Sequence, residues 1–507
     1  MIGLVSNAAG ATDALRTILP IGVGLASVAY LTVKATYNHS NIPMASLRSG
    51  DKTHDPEYED DQDEFLNRCE EECGSTFRIK LLNMDFIVVS GSVNREIFLN
   101  DDFSAPDSLD ELMELRAFIR GVTKSDLDDD NKKIHEMIRN TITPNLALFT
   151  PKIVEQLEAS LDHRMKLLGT AVDGDNEKSQ KILIESPLLV LQQMVASAMA
   201  NVFVGAEIAK NPEVIETFIN ATADFAKLLG NGTPKKASFW GKLSNKTLYS
   251  SRNPLNPLQK HLRVLVDAAE PVIIERRRLE AKALENGVEY DQPDDVLQIL
   301  LGSADKYGLV DIEDMCGHIL ILILASVHTT TDTSTNLLYY LAAFPQHIEQ
   351  LYDEQQLILD TQQRERENER QELTNKNEAI PPELDPSHDR DLTAAAIKKM
   401  AHMDSFVRES AHYGLDQGEN PSEFKPWRFV GKSKTATKVA PDFLPFGMGR
   451  HACPGRFLAI QELKTIGMLY VQKYSKVEIQ DPSCTKKALL TRLGAPTPTG
   501  LYFTKRE

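Results

Sequence analysis

Apolar positions change their spacing along this chain. Two short apolar runs, 77-FRIKLL-82 and 85-DFIVVSG-91, are punctuated by Gly74-Ser75 and Asn83-Met84. That pattern predicts two strands. From about residue 108 the apolar residues recur at helical intervals for most of the chain, with no internal repeat. The expectation is a mainly α fold with small β-sheets. One helix dominates. It opens at 311-DIED-314, whose acids suit a helix N-terminus, and must end before Pro345. At 1.5 Å per residue it is roughly 50 Å long. Its middle, 319-ILILILASV-327, is apolar on every side. Such a helix is either buried or membrane-spanning. Nine residues are too few to cross a bilayer, so a central buried helix is expected. His328, Thr329, Thr330, Thr331 and Asp332 then interrupt the apolar run. Polar groups in a buried helix need partners, a pocket or water. The alternative is that the threonine hydroxyls bond back to the preceding turn.

The N-terminus carries a second kind of apolar run. Residues 17-TILPIGVGLASVAYLTV-33 hold no charge and lie between Arg16 and Lys34. Seventeen residues is the short limit for a membrane helix. A cleaved signal peptide is the rival, but the run is long for one and its basic start is a single arginine. Lys34, Arg48 and Lys52 follow the run, which places the bulk of the chain in the cytosol. The expected organisation is a membrane anchor over 1–35, a polar linker over 36–62 and one large domain over 63–507. Within that domain, 361-TQQRERENERQELTNKNEAIPPELDPSHDRD-391 is almost wholly polar and reads as a surface insertion or mobile loop.

Charge and cysteine usage narrow the functional classes. The net charge is −17, which argues against nucleic-acid binding, since phosphate neutralisation needs clustered cations. Acidic runs such as 59-EDDQDE-64 read as solvated surface. Five cysteines in 507 residues suit a reducing compartment. Cys69 and Cys73 could share a helix face, but no second pair lies nearby to complete a zinc site.

The remaining chemistry centres on 443-FLPFGMGRHACPGRFLAIQELK-464. Cys453 stands between a glycine-rich turn and a helix that Pro454 would open. It could be a buried structural thiol, a nucleophile or a metal ligand. Gly447 and Gly449 let the backbone approach something closely, and Arg450 and His451 add positive charge. A helix N-terminus is expected to lower the thiol pKa, and backbone N–H groups aimed at the sulfur would tune a bound metal. One thiolate with nearby cations for carboxylates suits heme.

The run Phe446-Gly447-Met448-Gly449-Arg450-His451-Ala452-Cys453-Pro454-Gly455 resembles the heme-binding loop of cytochromes P450, Phe-x-x-Gly-x-(Arg/His)-x-Cys-x-Gly, at every fixed position. The long helix carries Ala325-Ser326-Val327-His328-Thr329-Thr330 where that family has Ala-Gly-x-(Asp/Glu)-Thr. The Ala-x-x-His-Thr-Thr form resembles fungal members acting on terpenoids and other secondary metabolites. His135 and Arg139 resemble the family's Trp/His-x-x-x-Arg pair, and 424-FKPWRF-429 resembles its Pro-x-Arg-Phe element. The resemblance implies a P450-like fold and heme b held by Cys453. His135, Arg139, Ala325, Phe446, Gly449, His451 and Gly455 would surround the heme, with Thr329 guiding protons beside Thr330. His328 replaces the usual acid and could relay protons itself, its unperturbed pKa being near 6.5. The implied activity is oxygen insertion from O₂ into an apolar small molecule. Electrons would come from a separate NADPH-dependent P450 reductase, because no nucleotide-binding glycine fingerprint is present. The anchor would then lie in the endoplasmic reticulum membrane as a single pass. Lys425, Arg428, Lys432, Lys434, Lys438, Arg450 and Arg456 form a basic set that could dock the reductase. The rival functions are a heme-thiolate isomerase or dehydratase that needs no external electrons, and a truncated, impaired isoform.

The sequence departs from the family at one place. Glu409 opens the Glu-x-x-Arg motif, but His412 stands where the arginine belongs. Only 43 residues, 410 to 452, then separate Glu409 from Cys453. The family has a few dozen more, forming strands that line the pocket. A segment is expected to be missing near 410–420, through a skipped exon or in a truncated isoform. Arg428 is then expected to lose part of its ion-pair network, with weak heme retention as the result.

Overall fold

The computed structural model describes residues 29–31, 42–60, 62–81, 84–89, 93–100, 103–104, 107, 110, 115–124, 127–172, 181–230, 257–309, 311–411, 424–441, 443–485, 489 and 498–507. Helices dominate, and two small sheets flank them. The first sheet has the order β1-β3-β2, from β1 (Ala29–Leu31), β2 (Thr76–Leu81) and β3 (Met84–Val89). β2 and β3 form an antiparallel hairpin that pairs Phe77 with Val88 and Ile79 with Phe86. Phe77, Ile79 and Leu81 are buried while Arg78 and Lys80 between them are half-buried, the alternation of a one-sided strand. The second sheet has the order β4-β5-β7-β6, from β4 (Thr170–Val172), β5 (Lys181–Ile184), β6 (Tyr474–Ile479) and β7 (Leu501–Lys505).

The expected strands at 77–82 and 85–91 are β2 and β3. The expected long helix runs Ile312–Ala343, and Asp311 caps it by accepting the Asp314 N–H at 3.0 Å. Lys124 pairs with Asp311, and the Lys124 N–H reaches Asp314 Oδ1 at 3.1 Å, which pins the helix start to residues 122–124. A Cβ on Gly317 would lie 2.0 Å from the Val122 carbonyl oxygen, so only glycine allows this approach. Helices Pro187–Phe203, Pro212–Gly230, Pro257–Glu285 and Arg456–Lys473 pack around it. Among the described residues this helix alone is long and apolar enough to cross a membrane, but more than half of its apolar window is buried in the core.

Two expectations change. Of the apolar run 17–33, the described residues are Ala29–Leu31. They pair antiparallel with Ile87–Val89, so these three are strand and not helix, and the rest lies outside the described residues. The polar stretch 361–391 is not a mobile loop. Helix Ile348–Asn375 runs through its first half, and two 3₁₀ turns, Pro382–Leu384 and Pro386–His388, fold back on that helix. Arg370 grips Asp389 with both terminal nitrogens at 2.6 Å, and Gln362, buried, donates to the carbonyls of Asp389 and Asp391. Glu, Gln and Arg are good helix formers, and these tertiary bonds supply what the missing apolar face does not.

Candidate functional site

Residues 443–456 form a tight loop that ends at helix Arg456–Lys473. The Leu444 carbonyl accepts the Gly447 N–H at 2.8 Å, and the Phe446 carbonyl accepts the Cys453 N–H at 2.7 Å. Gly447 and Gly449 take φ of 64° and 61°, the left-handed region that suits glycine. A Cβ on Gly449 would meet Leu99 Cδ2 at 2.8 Å. The helix begins two residues later than Pro454 suggested, with Gly455 at its cap. The N–H groups of Gly455 and Arg456 still bond the Cys453 sulfur, and with the Arg456 charge they favour thiolate. Burial outweighs them and pushes the thiol pKa up, opposite to the direction expected from the helix terminus alone. The Cys453 carbonyl accepts from Arg456 Nη1 at 2.8 Å.

Helix Ala401–Ala411 holds the chain that leads into this loop. Glu409 accepts from Arg428 Nε at 3.0 Å on both carboxylate oxygens and from the Lys425 N–H at 2.9 Å. The two side chains are 3% and 2% exposed. The half of the network that the sequence retains is in place: a helix of this register sets Glu409 against Arg428. Breaking such a buried pair costs about 3–5 kcal/mol. His412 lies outside the described residues. Ser405 Oγ accepts the Phe429 N–H at 3.1 Å, and Asp404 accepts the Ala436 N–H at 2.9 Å.

The central helix is buried except along one stripe. Ala325 is exposed, and Ile321, Leu324, His328, Thr329, Asp332 and Thr333 are half-buried. Their spacing puts them on one face. Thr329 donates back to the Ala325 carbonyl at 2.8 Å, and Thr331, Thr333, Ser334 and Thr335 do the same one turn apart. The back-bonding alternative is thus the conformation seen. Thr330 differs, since its hydroxyl bonds Glu462 on helix Arg456–Lys473. Glu462 is 1% exposed, and burial raises its pKa to about 8. Burial lowers that of His328 to about 4, so the imidazole is neutral near pH 7 and the value near 6.5 read from sequence is corrected. His328 Nε2 and Ser326 Oγ are sealed without a hydrogen-bond partner among the described residues.

His135, Arg139 and His451 come together. The His135 pKa is lowered first by burial, then by the charges of Arg139 and His451. Helix Leu127–Met137 gives way to a π turn over Ile138–Ile142, so Arg139 sits on the wider turn while His135 is on regular helix. His451 Nε2 accepts from Arg450 Nε at 3.1 Å, and Arg450 Nη2 donates to the Phe103 carbonyl at 3.0 Å.

Comparison with known proteins matches this architecture. The Cytochrome P450 family model matches residues 54–380 and 409–503. The chain belongs to the cytochrome P450 family. The P450 monooxygenase paxP of Penicillium paxilli is 26% identical over 373 residues, spanning 70% of this chain and 69% of the relative. Cytochrome P450 monooxygenase 71 of Postia placenta is 23% identical over 549 aligned positions, spanning 98% of this chain and 94% of the relative. A cyanobacterial cytochrome, CYP120A1, solved with retinoic acid bound, shares the fold over 88% of this chain and 95% of its own, with a TM-score of 0.53 and 16% identity. This cytochrome P450 is a monooxygenase whose cofactor is heme b, and O₂, a substrate and a redox partner belong to that activity.

The residues present fit heme. Among the described residues no three His, Cys, Asp or Glu side chains cluster as a bare metal site would require. One sulfur faces two backbone N–H groups, Arg139 offers positive charge beside the imidazoles of His135 and His451, and Ala325 leaves an open face on an otherwise packed helix. The P450 site also uses residues that sequence reasoning did not single out: Asp404, Ser405, Arg408 and Glu462. Arg408 is 1% exposed and Glu462 likewise, and no composition or spacing signal separates them from surface charges on an amphipathic helix.

Proposed function

We propose that this cytochrome P450 inserts one oxygen atom of O₂ into an apolar small molecule, with Cys453 as the thiolate ligand of the heme iron. The observation that carries this reading is the Cys453 sulfur, met by the N–H groups of Gly455 and Arg456 at a helix start. Heme bound there supplies O₂ activation, which the thiolate favours by donating electron density. His135, Arg139 and His451 would hold the heme carboxylates. Phe446, Gly449 and Gly455 shape the loop on the sulfur side. Ala325 keeps the opposite face clear, and Ile321 and Leu324 beside it give that face the apolar character an apolar substrate needs. Thr329 donates to the Ala325 carbonyl, so its oxygen remains an acceptor for an incoming proton donor. His328, neutral, would relay a proton by accepting one at its bare ring nitrogen while releasing the other from its N–H, which needs a partner for Nε2, unpartnered among the described residues. Thr330 links this face to Glu462 behind it.

Electrons come from an NADPH-dependent P450 reductase. Of the basic set, Arg428 is buried in its ion pair and Arg456 is spent on the carbonyls of Thr437 and Cys453. Lys432, Lys438 and Arg450 are exposed and form the docking charge. Ala29–Leu31 belong to the first sheet, so only 17–28 of the apolar run is left for the membrane, less than a bilayer-crossing helix needs. With more Lys and Arg after the run than before it, this supports membrane association with the catalytic domain on the cytosolic side. The 43 residues between Glu409 and Cys453, with His412 where the motif has arginine, support the reading that a segment of coding sequence is missing near 410–420.

The test is optical. Purified chain is titrated with heme, reduced and exposed to carbon monoxide, beside Cys453→Ala. The unsubstituted chain is expected to give the spectrum of thiolate-ligated heme, and Cys453→Ala to lose it. A Cys453→Ala variant with the same spectrum would overturn the assignment.

A further inference from the structure

We propose that Arg408 is a positioning residue for the heme loop and carries, in this chain, much of the tie between helix Ala401–Ala411 and Cys453. The inference rests on the reading of Cys453 as the iron's ligand.

The geometry forms a continuous path. Arg408 Nη1 donates to the carbonyl of Thr435 at 2.7 Å and to that of Lys438 at 2.9 Å. Its guanidinium lies 3.7 Å from the centroid of the Phe443 ring and 4.7 Å from that of Phe429. The turn it grips is held from the other side by Arg456, whose Nε donates to the Thr437 carbonyl at 3.0 Å. The Nη1 of the same arginine donates to the Cys453 carbonyl at 2.8 Å. Arg408 therefore reaches Cys453 through one turn and one further guanidinium. Its second contact, Phe443, stands three residues before Phe446, whose carbonyl receives the Cys453 N–H. Both approaches to the sulfur converge on this side chain.

Its neighbours have other tasks. Glu409 is committed to Arg428 and the Lys425 N–H, which fixes residues 425–428. Asp404 takes one backbone N–H of the turn, that of Ala436. The Thr435 carbonyl already accepts the Lys438 N–H at 3.0 Å; Arg408 adds a second donor there and supplies one to the Lys438 carbonyl from within the core. Arginine suits the place because it stays charged, presents a flat fork and stacks on aromatic faces; lysine offers a single ammonium and no such stack. Burial of a charged group with two good acceptors and aromatic faces marks an arginine whose replacement is felt beyond its own contacts.

The experiment compares the heme-loaded chain with Arg408→Lys and Phe443→Leu. Three quantities are read on each: the rate of heme transfer to an excess of an apo-acceptor protein, the ligation spectrum with carbon monoxide, and the urea midpoint of helical signal. Arg408→Lys is expected to speed heme loss by about tenfold or more and to shift part of the population away from thiolate ligation. The urea midpoint should move little. Phe443→Leu, which keeps the charge and both carbonyl bonds, should act in the same direction by a smaller factor, and it decides the matter if Arg408→Lys does not fold. Heme-loss rates and spectra unchanged in the variants would overturn the proposal, as would heme loss that rises only in step with a falling urea midpoint. If the unsubstituted chain and Cys453→Ala share one spectrum, the reading of Cys453 has failed; if they differ, Arg408 is judged on its own variants.

Discussion

His328 and Glu462 show one cause acting in opposite directions. Burial disfavours charge, so it lowers the histidine pKa to about 4 and raises the glutamate pKa to about 8. For His328 the folded value lies below the unfolded value of 6.5. The unfolded chain then binds more protons between about pH 4 and 6.5, and stability rises with pH across that window. For Glu462 the folded value lies above the ordinary 4.5, so its contribution is full below that pH and is lost as pH rises towards 8. The two slopes oppose each other between about pH 4.5 and 6.5, and above that only Glu462 acts. Glu462→Gln keeps a partner for Thr330 and removes the falling slope. It is expected to be near neutral at pH 4.5 and more stable than the unsubstituted chain by about 3 kcal/mol at pH 7. Urea unfolding at the two pH values checks this, and an equal difference at both would refute it. None of this was legible in the sequence. His328 was visible as a departure from a motif, but its neutrality depends on packing. Glu462 reads in sequence as one more acid on a helix.

At the scale of elements, legibility followed the strength of the local pattern. The helix Ile312–Ala343 was readable because its start combines a cap, an acidic first turn and an apolar run, and its end precedes a proline. Strands β2 and β3 were readable from alternation between turn residues. The mobile-loop reading of 361–391 failed because its helical half has no apolar stripe, and its support, Arg370 on Asp389 and Gln362 on two carbonyls, comes from residues 19 to 29 positions apart within the same stretch. That difference has a direct test. Asn368 is an exposed residue well inside helix Ile348–Asn375. In a mobile loop Asn368→Pro would leave stability unchanged. In the helix it removes one backbone bond and clashes with the preceding turn, a loss of about 3 kcal/mol. A urea titration of the variant separates the two, and an unshifted midpoint would return the segment to a loop.

At the scale of the whole molecule, the family and its heme loop were legible from ten residues around Cys453, while the consequence of the short segment after Glu409 was not. The sequence suggested that Arg428 loses one member of its network, the arginine expected at 412. The fold pairs it with Glu409 and lets Arg408 hold the turn ahead of the loop. The loop can thus be built without an arginine at position 412. Only 43 residues separate Glu409 from Cys453, and Ala411 and Phe424 are joined by twelve. An alignment of 549 positions with the Postia placenta relative takes in 98% of this 507-residue chain, so dozens of positions of that relative have no counterpart here. Sequencing the transcript across Ser410 to Asn420 is expected to recover additional coding sequence, with an arginine three residues after Glu409 and strand-forming residues behind it. The restored chain should then hold heme more tightly than this one and depend less on Arg408, because a second side chain would share the tie. A transcript that reads as the present sequence does would make this an isoform whose heme loop is tied to helix Ala401–Ala411, among the described residues, by Glu409 and Arg408 with Asp404 and Ser405. Replacing Arg408 would then speed heme loss with no arginine at 412 to share the tie.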